Sequence, residues 1–371
     1  MRWRLHPLSL PLRVPLRTAG WEIARRDVVI VEAVHDNGQR GFGEAAPLPA
    51  FGTETLSQSV DRLRQWTAIL SSSAIDPFET VRTLDTLLPD VDTAPAARCA
   101  VECALLDLAA RMRRLPLWRL LADAQVDNAA VDTDARGIPV NIMLSAATAP
   151  AMVDAAHAAL REGFRCFKLK VGMGSVEEDA HRVRLLRDTL GGDAVIRLDA
   201  NGAWDEINAS TALERFAELD IEYIEQPVAA DDLAALRRLR ALRLVPVAAD
   251  ESVQCPEQTR AILALGAADV LILKPMALGG ILRARALFTE ARAAGVDAVC
   301  TGFIDSAVGR AAVAQLCASL PAPLRAQGLA TGSMLTSDTG QDDIREGTLW
   351  LPRGDGLGFI PALEDSSHAS A

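Results

Sequence analysis

Aromatic residues make up only 4% of the 371-residue chain. That is too few for the stacking platforms on which single-stranded nucleic acid is bound. Positive charge is also in the minority. Lys and Arg number 38 against 49 Asp and Glu, a net charge of −11, the reverse of the balance a nucleic-acid binder shows. No uncharged apolar run reaches the ~18 residues of a membrane span. The longest candidate, residues 311–324, is closed by Arg310 and Arg325 and broken by Pro321 and Pro323. The start is basic (Arg2, Arg4), but residues 5–12 contain His6, Pro7 and Pro11 and make a poor secretory core. The six cysteines (Cys99, Cys103, Cys166, Cys255, Cys300, Cys317) form no CxxC pair. Most stand among apolar neighbours and read as small hydrophobes, so a reducing cytoplasm is the expected compartment. The rest is ordinary globular composition, with 50% hydrophobic and 23% charged residues, which excludes a disordered chain.

The first part reads as α+β. Residues 27–35 form a strand, Asn37-Gly38 is a hairpin signal, and residues 40–44 pair back. A Pro/Gly-rich loop at 46–53 precedes helical stretches at 56–70 and 96–112. From Gly137 onward short β-rich runs alternate with helices such as 153–162 and 231–239. The runs are 139–144, 166–171, 194–198, 221–225, 245–249, 270–274, 298–301 and 326–330, at steps of about 24 to 28 residues. Strand–helix alternation at this step makes βαβ units and a parallel sheet, and eight strands favour a closed barrel. The tail after Gly332 is loop-like with apolar runs at 348–352 and 357–363, and residues 364–371 are expected to fray.

In a parallel barrel the functional groups come from the C-terminal strand ends. The second run ends Lys168-Leu169-Lys170, the third Asp199-Ala200-Asn201, the fourth Glu225-Gln226-Pro227, the fifth Asp250-Glu251-Ser252 and the sixth Lys274-Pro275. One charge at a strand end means only that the strand has reached water. Five consecutive ends in the order Lys, Asp, Glu, Asp, Lys are harder to dismiss. Three converging carboxylates repel and raise one another's pKa unless a cation joins them. Oxygen-only ligands fit Mg²⁺, with Mn²⁺ as a substitute, and no histidine lies at a strand end to suggest zinc. Lys168 and Lys170 share a face and flank the carboxylates on one side, with Lys274 on the other. A lysine beside other cations is pushed toward a usable general base. The set points to removal of a proton from the carbon next to a carboxylate. A Schiff base on Lys274 is the competing chemistry.

These residues resemble the enolase superfamily, in particular its muconate-lactonizing branch. The K-x-K pair, Asp199 in LDAN, Glu225 in IEQP, Asp250 in ADES and Lys274 in LKP stand in the family's order and spacing. The resemblance implies an α/β fold: a modified TIM barrel, (β/α)7β, at 131–332, an N-terminal α+β capping domain at 1–130, and a C-terminal segment at 333–371 returning to the cap. It implies Mg²⁺ on Asp199, Glu225 and Asp250, with Lys170 as base, Lys168 supporting it and Lys274 facing the opposite side of the substrate. Within the branch the sequence looks most like the o-succinylbenzoate synthases of menaquinone biosynthesis, through residues 41–56 (GFGEAAPLPAFGTETL), a likeness to their cap loop, 197–204 (RLDANGAW) and 328–335 (GLATGSML). That implies a lyase dehydrating 2-succinyl-6-hydroxy-2,4-cyclohexadiene-1-carboxylate.

Departures matter. Relatives carry Ser-Ser-x-x-Glu-Ser after the seventh strand, and here the chain reads Thr301-Gly302-Phe303-Ile304-Asp305-Ser306. Asp305 is one methylene shorter than Glu, and an N-cap of a helix over 308–320 is an equal reading of it. Dipeptide epimerases of the branch show Asp-x-Asp at the eighth strand to hold an ammonium, and residues 328–333 have none. Racemisation of N-acylamino acids, with the same two lysines on opposite faces, therefore stays open, as does dipeptide epimerisation. An inactive relative with a binding role is the third alternative. Arg197 shares parity with Asp199 and has two possible partners, a second substrate carboxylate and Glu225. Asn201 either orients ligands or makes a turn, and Phe51 and Trp21 are candidate apolar walls. The expected partner is a small-molecule carboxylate, with no nucleic acid and no membrane. The barrel's outer helices leave a homo-oligomer possible.

Overall fold

The computed structural model describes residues 1–17, 22–71, 76–122, 136–145 and 148–363. Trp21, the expected domain boundary at 130–131 and the expected frayed tail lie outside the described residues.

The chain opens with an antiparallel sheet in the order β1 (Arg2–Arg17), β2 (Glu22–Val34) and β3 (Arg40–Ala45). The Asn37-Gly38 turn joins β2 to β3, with Gly38 at φ 86°. β1 was not expected. Its prolines 7, 11 and 15 argue against a strand, yet β1 lies at the edge of the sheet, where a missing N–H costs no ladder bond. The helix Pro95–Met112 packs on β3 along a nearly all-buried surface. Gly41 and Gly43 make that approach possible: a Cβ on either would strike the helix backbone at Ala104 or Ala100.

β4 (Gly137–Pro139) precedes the barrel, which β5 (Ile142–Leu144) opens; the single strand expected at 139–144 is thus two. The barrel continues through β6 (Cys166–Lys170), β7 (Val195–Asp199), β8 (Ile221–Glu225), β9 (Val247–Ala249), β10 (Val270–Leu273) and β11 (Asp297–Cys300). These strands are parallel and bonded in sequence order. The eighth expected strand, 326–330, is not a strand. The chain passes between β5 and β11 through the single bridges Val140–Gln327 and Thr301–Gly328. The Gln327 side chain takes up part of the ladder, accepting from Cys300 N–H at 2.7 Å. The ring is closed one residue wide.

Inside the ring Tyr223, Ala248, Val270, Ile272 and Val299 form a small apolar cluster separate from the main core. Because side chains alternate along a strand, the residues two positions beyond Tyr223, Ala248, Ile272 and Val299 face the same interior one layer higher. They are Glu225, Asp250, Lys274 and Thr301. The apolar plug thus supports a polar layer at the C-terminal mouth.

The tail forms β12 (Asp343–Arg345) and β13 (Thr348–Trp350), which pair onto β4. It also touches the N-terminal part. Leu335 bridges Leu12, and buried Asp107 accepts from Leu357 N–H at 2.7 Å and Phe42 N–H at 2.9 Å.

Candidate active site

Two residues of β6 enter the mouth. Lys168 Nζ donates to Glu225 Oε1 at 2.7 Å and stands 2.9 Å from Asp199 Oδ2. Burial disfavours its ammonium, but the two carboxylates outweigh burial and hold its pKa above the lysine range. Lys170 differs. Its Nζ donates to the neutral Asn201 Oδ1 at 2.7 Å, and burial, with Lys168 adding to it, pushes its pKa below the lysine range.

Lys274 enters from β10, on the opposite side. In the eight-position ring β6 is second and β10 is sixth, half a turn apart, with β7, β8 and β9 between them carrying the carboxylates. Lys274 Nζ pairs with Asp250 and lies 4.5 Å from the Phe51 ring centre and 5.8 Å from that of Phe303. Burial brings its pKa down to about 7. Burial raises Glu225, whereas in Asp199 the effect of burial is overcome by Lys168 and Lys170, and its pKa falls.

All three lysines of the chain therefore stand in this one mouth, out of 38 basic residues. Everywhere else the cation is arginine, whose guanidinium does not give up its proton in proteins. The contrast is visible in the sequence itself.

Among the described residues no group of three or more His, Cys, Asp or Glu is gathered closely enough to hold a metal ion as it stands. Lys168 lies between Asp199 and Glu225, and Lys274 lies on Asp250. The donor chemistry nevertheless fits a hard divalent cation. Asp199, Glu225 and Asp250 offer only oxygen, are buried and come from adjacent strands. Glu225 Oε2 is buried with no hydrogen-bond partner.

The cleft above these groups has two adjoining lobes. The first, of about 110 Å³, contains Lys168, Lys170, Asp199, Asn201, Glu225, Asp250 and Lys274. Its walls include Leu16, Ile23, Leu48, Phe51, Phe303 and Ile304, so the β1–β2 hairpin and the loop after β3 both reach over the mouth. The expected cap loop at 41–56 is in part the strand β3, and only its later half, with Leu48 and Phe51, lines the cleft. The second lobe, of about 150 Å³, lies toward β5, β11 and residue 328 and is lined by Met143, Ser145, Thr301, Thr331, Ser333 and Met334, among others. Beyond Lys168 and Glu225 its described lining has no charged side chain.

The structure brings together Lys168, Lys170, Lys274, Asp199, Glu225, Asp250, Asn201, Phe51, Thr301 and Gly302. Three expected residues stand elsewhere. Arg197 shares the interior face with Asp199 but lies two residues deeper. It pairs with Glu222 at 2.6 Å, donates to Ala326 O at 2.7 Å and stacks 4.8 Å over Tyr223. Neither a substrate carboxylate nor Glu225 is its partner. Asp305 and Ser306 turn away into the contact with the cap. Asp305 accepts from Phe303 N–H at 3.0 Å. Ser306 caps the helix Ala307–Ala318, so the N-cap is Ser306 and not Asp305. The sequence reading missed Leu16, Ile23, Leu48, Met143, Phe303, Ile304, Thr331 and Glu251. The apolar ones carry no chemical signature. Glu251 follows Asp250 beyond the end of β9, where strand parity no longer applies.

Comparison with known proteins agrees with this architecture. Residues 4–122 match the family model described as mandelate racemase / muconate lactonizing enzyme, N-terminal domain, and residues 151–366 match enolase C-terminal domain-like. The chain is 30% identical over 370 residues to the L-Ala-D/L-Glu epimerase of Bacillus subtilis, covering 96% of this chain and 95% of that protein. It is 30% identical over 364 residues to muconate cycloisomerase 1 of Rhodococcus opacus, covering 95% and 93%. The dipeptide epimerase of Enterococcus faecalis, solved with Mg and the dipeptide L-Leu-L-Tyr, superposes with a TM-score of 0.85 at 26% identity over 96% of this chain and 98% of that one. The chain belongs to the enolase superfamily, in its muconate-lactonizing branch.

Proposed function

We propose that this enzyme is a Mg²⁺-dependent racemase or epimerase that moves the α-proton of a carboxylate substrate from one face of the carbon to the other. The observation that carries the reading is the placement of Lys170 and Lys274 half a turn apart across the mouth, with the carboxylate arc between them. Asp199, Glu225 and Asp250 would hold the metal, which when bound offsets the charge that develops on the substrate carboxylate. Lys170 as free amine takes the α-proton, and the α-carbon becomes planar. Lys274 as ammonium delivers its proton to the other face. The reverse direction exchanges the two roles. Lys168, held charged by two carboxylates, supplies a fixed cation next to Lys170 and keeps it from holding its proton. The apolar roof of Leu16, Ile23, Leu48 and Phe51 excludes water from the reacting carbon.

The second lobe supports the substrate class. It offers hydroxyls from Thr301, Thr331 and Ser333, and among the described residues its one carboxylate is Glu225, which pairs with Lys168 and would hold the metal, leaving none to receive an ammonium. A free dipeptide amine buried there would lack a counter-charge. A neutral acyl group fits, so the substrate is an N-acylamino acid with an apolar side chain. Dehydration of the succinyl cyclohexadiene ranks behind this reading. It calls for a cation to receive the second carboxylate, and the residue expected there, Arg197, is paired with Glu222 below the cleft.

The test uses N-acetyl-L-leucine and N-acetyl-D-leucine with Mg²⁺ in D₂O. Loss of the α-proton signal together with the appearance of the other enantiomer supports the reading. An enzyme that leaves both enantiomers untouched and turns the succinyl cyclohexadiene over to o-succinylbenzoate overturns it.

A further inference from the structure

Lys168 and Lys170 sit on the same face of one strand, two residues apart, yet are held by opposite kinds of partner. Lys168 lies between two carboxylates. Lys170 Nζ donates to Asn201 Oδ1 at 2.7 Å, and Asn201 Nδ2 donates to Glu251 Oε1 at 2.9 Å. Asn201 N–H donates to Asp199 Oδ1 at 3.1 Å, and Asn201 has a φ of 45°. This backbone conformation is one asparagine tolerates better than most residues. The other oxygen of Glu251, Oε2, is buried with no hydrogen-bond partner.

We propose that Asn201 and Glu251 form a positioning pair for Lys170, in which Glu251 fixes the amide of Asn201 so that its oxygen always faces the lysine nitrogen. The reasoning is one of donors and acceptors. Reversing the amide would point its oxygen at an ionised Glu251, and its NH₂ either at an ammonium or onto the lone pair that Lys170 needs as a base. With Glu251 in place only one orientation is satisfied. Without it the amide is free to turn. A neutral amide oxygen accepts from a lysine whether the nitrogen is amine or ammonium. A carboxylate in the same place would favour the ammonium and retain the proton. Asparagine at 201, locked from behind, therefore suits a lysine that takes and returns a proton, while the carboxylates around Lys168 suit one that keeps its own. Glu251 is a positioning residue and touches no reacting atom. Its contribution to turnover rests on the racemase reading above; its hold on Lys170 does not.

Only three lysines exist in the chain, so protein labelled with ¹³C at lysine Cε gives three side-chain resonances, assigned by Lys→Arg variants. In Glu251→Leu the Lys170 resonance should shift and broaden while those of Lys168 and Lys274 stay at their wild-type positions. Glu251→Gln, whose amide oxygen still accepts from Asn201, should bring the Lys170 resonance back. Asn201→Ala should displace the same resonance, and the Asn201→Ala/Glu251→Leu double variant should move it no further. In the N-acetyl-leucine assay, Glu251→Leu should slow α-deuterium exchange of one enantiomer by roughly 10- to 100-fold and that of the other by less than about twofold. A Lys170 resonance unmoved in both Glu251→Leu and Asn201→Ala overturns the proposal. So does a common shift of all three lysines with weakened Mg²⁺ binding, which makes Glu251 part of the metal pocket. Equal slowing of both enantiomers also counts against it. If wild-type enzyme exchanges neither enantiomer, the substrate reading fails, and the lysine spectra still decide the positioning.

Discussion

Glu44, on β3 of the cap, accepts from Ser306 N–H at 2.9 Å and from Gly309 N–H at 2.8 Å at the start of the barrel helix Ala307–Ala318. The Ser306 hydroxyl also donates to it. One cap carboxylate thus satisfies helix N–H groups that have no intrahelical partner, and it does so a few residues from Thr301 and Gly302 in the cleft wall. The contact ties the loop carrying Leu48 and Phe51 to the loop after β11.

The burial of Glu44 makes stability depend on pH, because it outweighs these hydrogen bonds, which favour the carboxylate. Burial, with Asp305 adding to it, raises Glu44 from 4.5 to about 7. The unfolded chain therefore ionises first as pH rises. The stability Glu44 contributes is full below about 4.5 and is lost as pH rises through about 7. Glu44→Gln has no such proton to lose. Between pH 4.5 and 8 the wild type should lose on the order of 3 kcal/mol relative to the variant. Urea midpoints at both pH values measure it, and parallel pH curves for the two proteins would contradict it.

The three lysines should titrate separately in metal-free protein. Lys274 should lose its proton near pH 7. Lys170 should do so below the ordinary lysine range and Lys168 above it. Chemical shifts of labelled lysine Cε against pH give all three curves. Coincident curves would remove the electrostatic distinction between the charged lysine and the two that exchange protons.

The enrichment of lysine in the mouth of an otherwise arginine-rich chain has a direct consequence. Lys170→Arg keeps the charge and removes the ability to act as a base. It should abolish exchange from one face of the substrate as completely as Lys170→Ala does. Retention of more than about a tenth of wild-type exchange, against the 10²- to 10⁴-fold a positioned base contributes, would assign the base elsewhere.

How much of this could be read beforehand depended on what signals itself. The βα alternation and the charged strand ends were legible because apolar β-runs and their caps repeat at a regular step. The runs at Ile221–Glu225 and Val270–Leu273 needed little adjustment. β1 was illegible because Pro7, Pro11 and Pro15 mask a strand that only its edge position permits. Residues 326–330 are apolar enough to read as an eighth strand, while Gln327 replaces part of the ladder with its side chain. In the site, parity placed Lys170 and Asp199 correctly. It could not tell that Arg197 lies one layer too deep, nor that Asp305 faces the cap.

Phe51 tests the roof. Its ring centre lies 4.5 Å from Lys274 Nζ, close enough for a cation–π attraction of roughly 0.5–2 kcal/mol. Phe51→Ala removes this attraction, which lowers the pKa of Lys274, and also part of its burial, which raises it, and should raise KM for N-acetyl-leucine by exposing the apolar wall. An unchanged KM would place Phe51 outside the working site.

The second lobe offers a specificity test that is independent of the lysines. Thr331 lines both lobes, and its Oγ1 is buried with no partner, so an acid there breaks no existing bond. Thr331→Asp would supply the counter-charge that a free ammonium lacks in the wild-type lobe. Desolvated charge pairs of this kind are worth roughly 1.5–7 kcal/mol in coupling. The ratio of kcat/KM for L-Ala-L-Leu over N-acetyl-L-leucine should therefore rise at least about tenfold in the variant. The carboxylate would at the same time repel the neutral acyl oxygen and lower activity on the N-acetyl substrate. A wild-type enzyme that already prefers the dipeptide, or a variant whose ratio does not move, would show that the substituent next to the α-carbon lies outside the lobe formed by Thr301, Thr331 and Ser333.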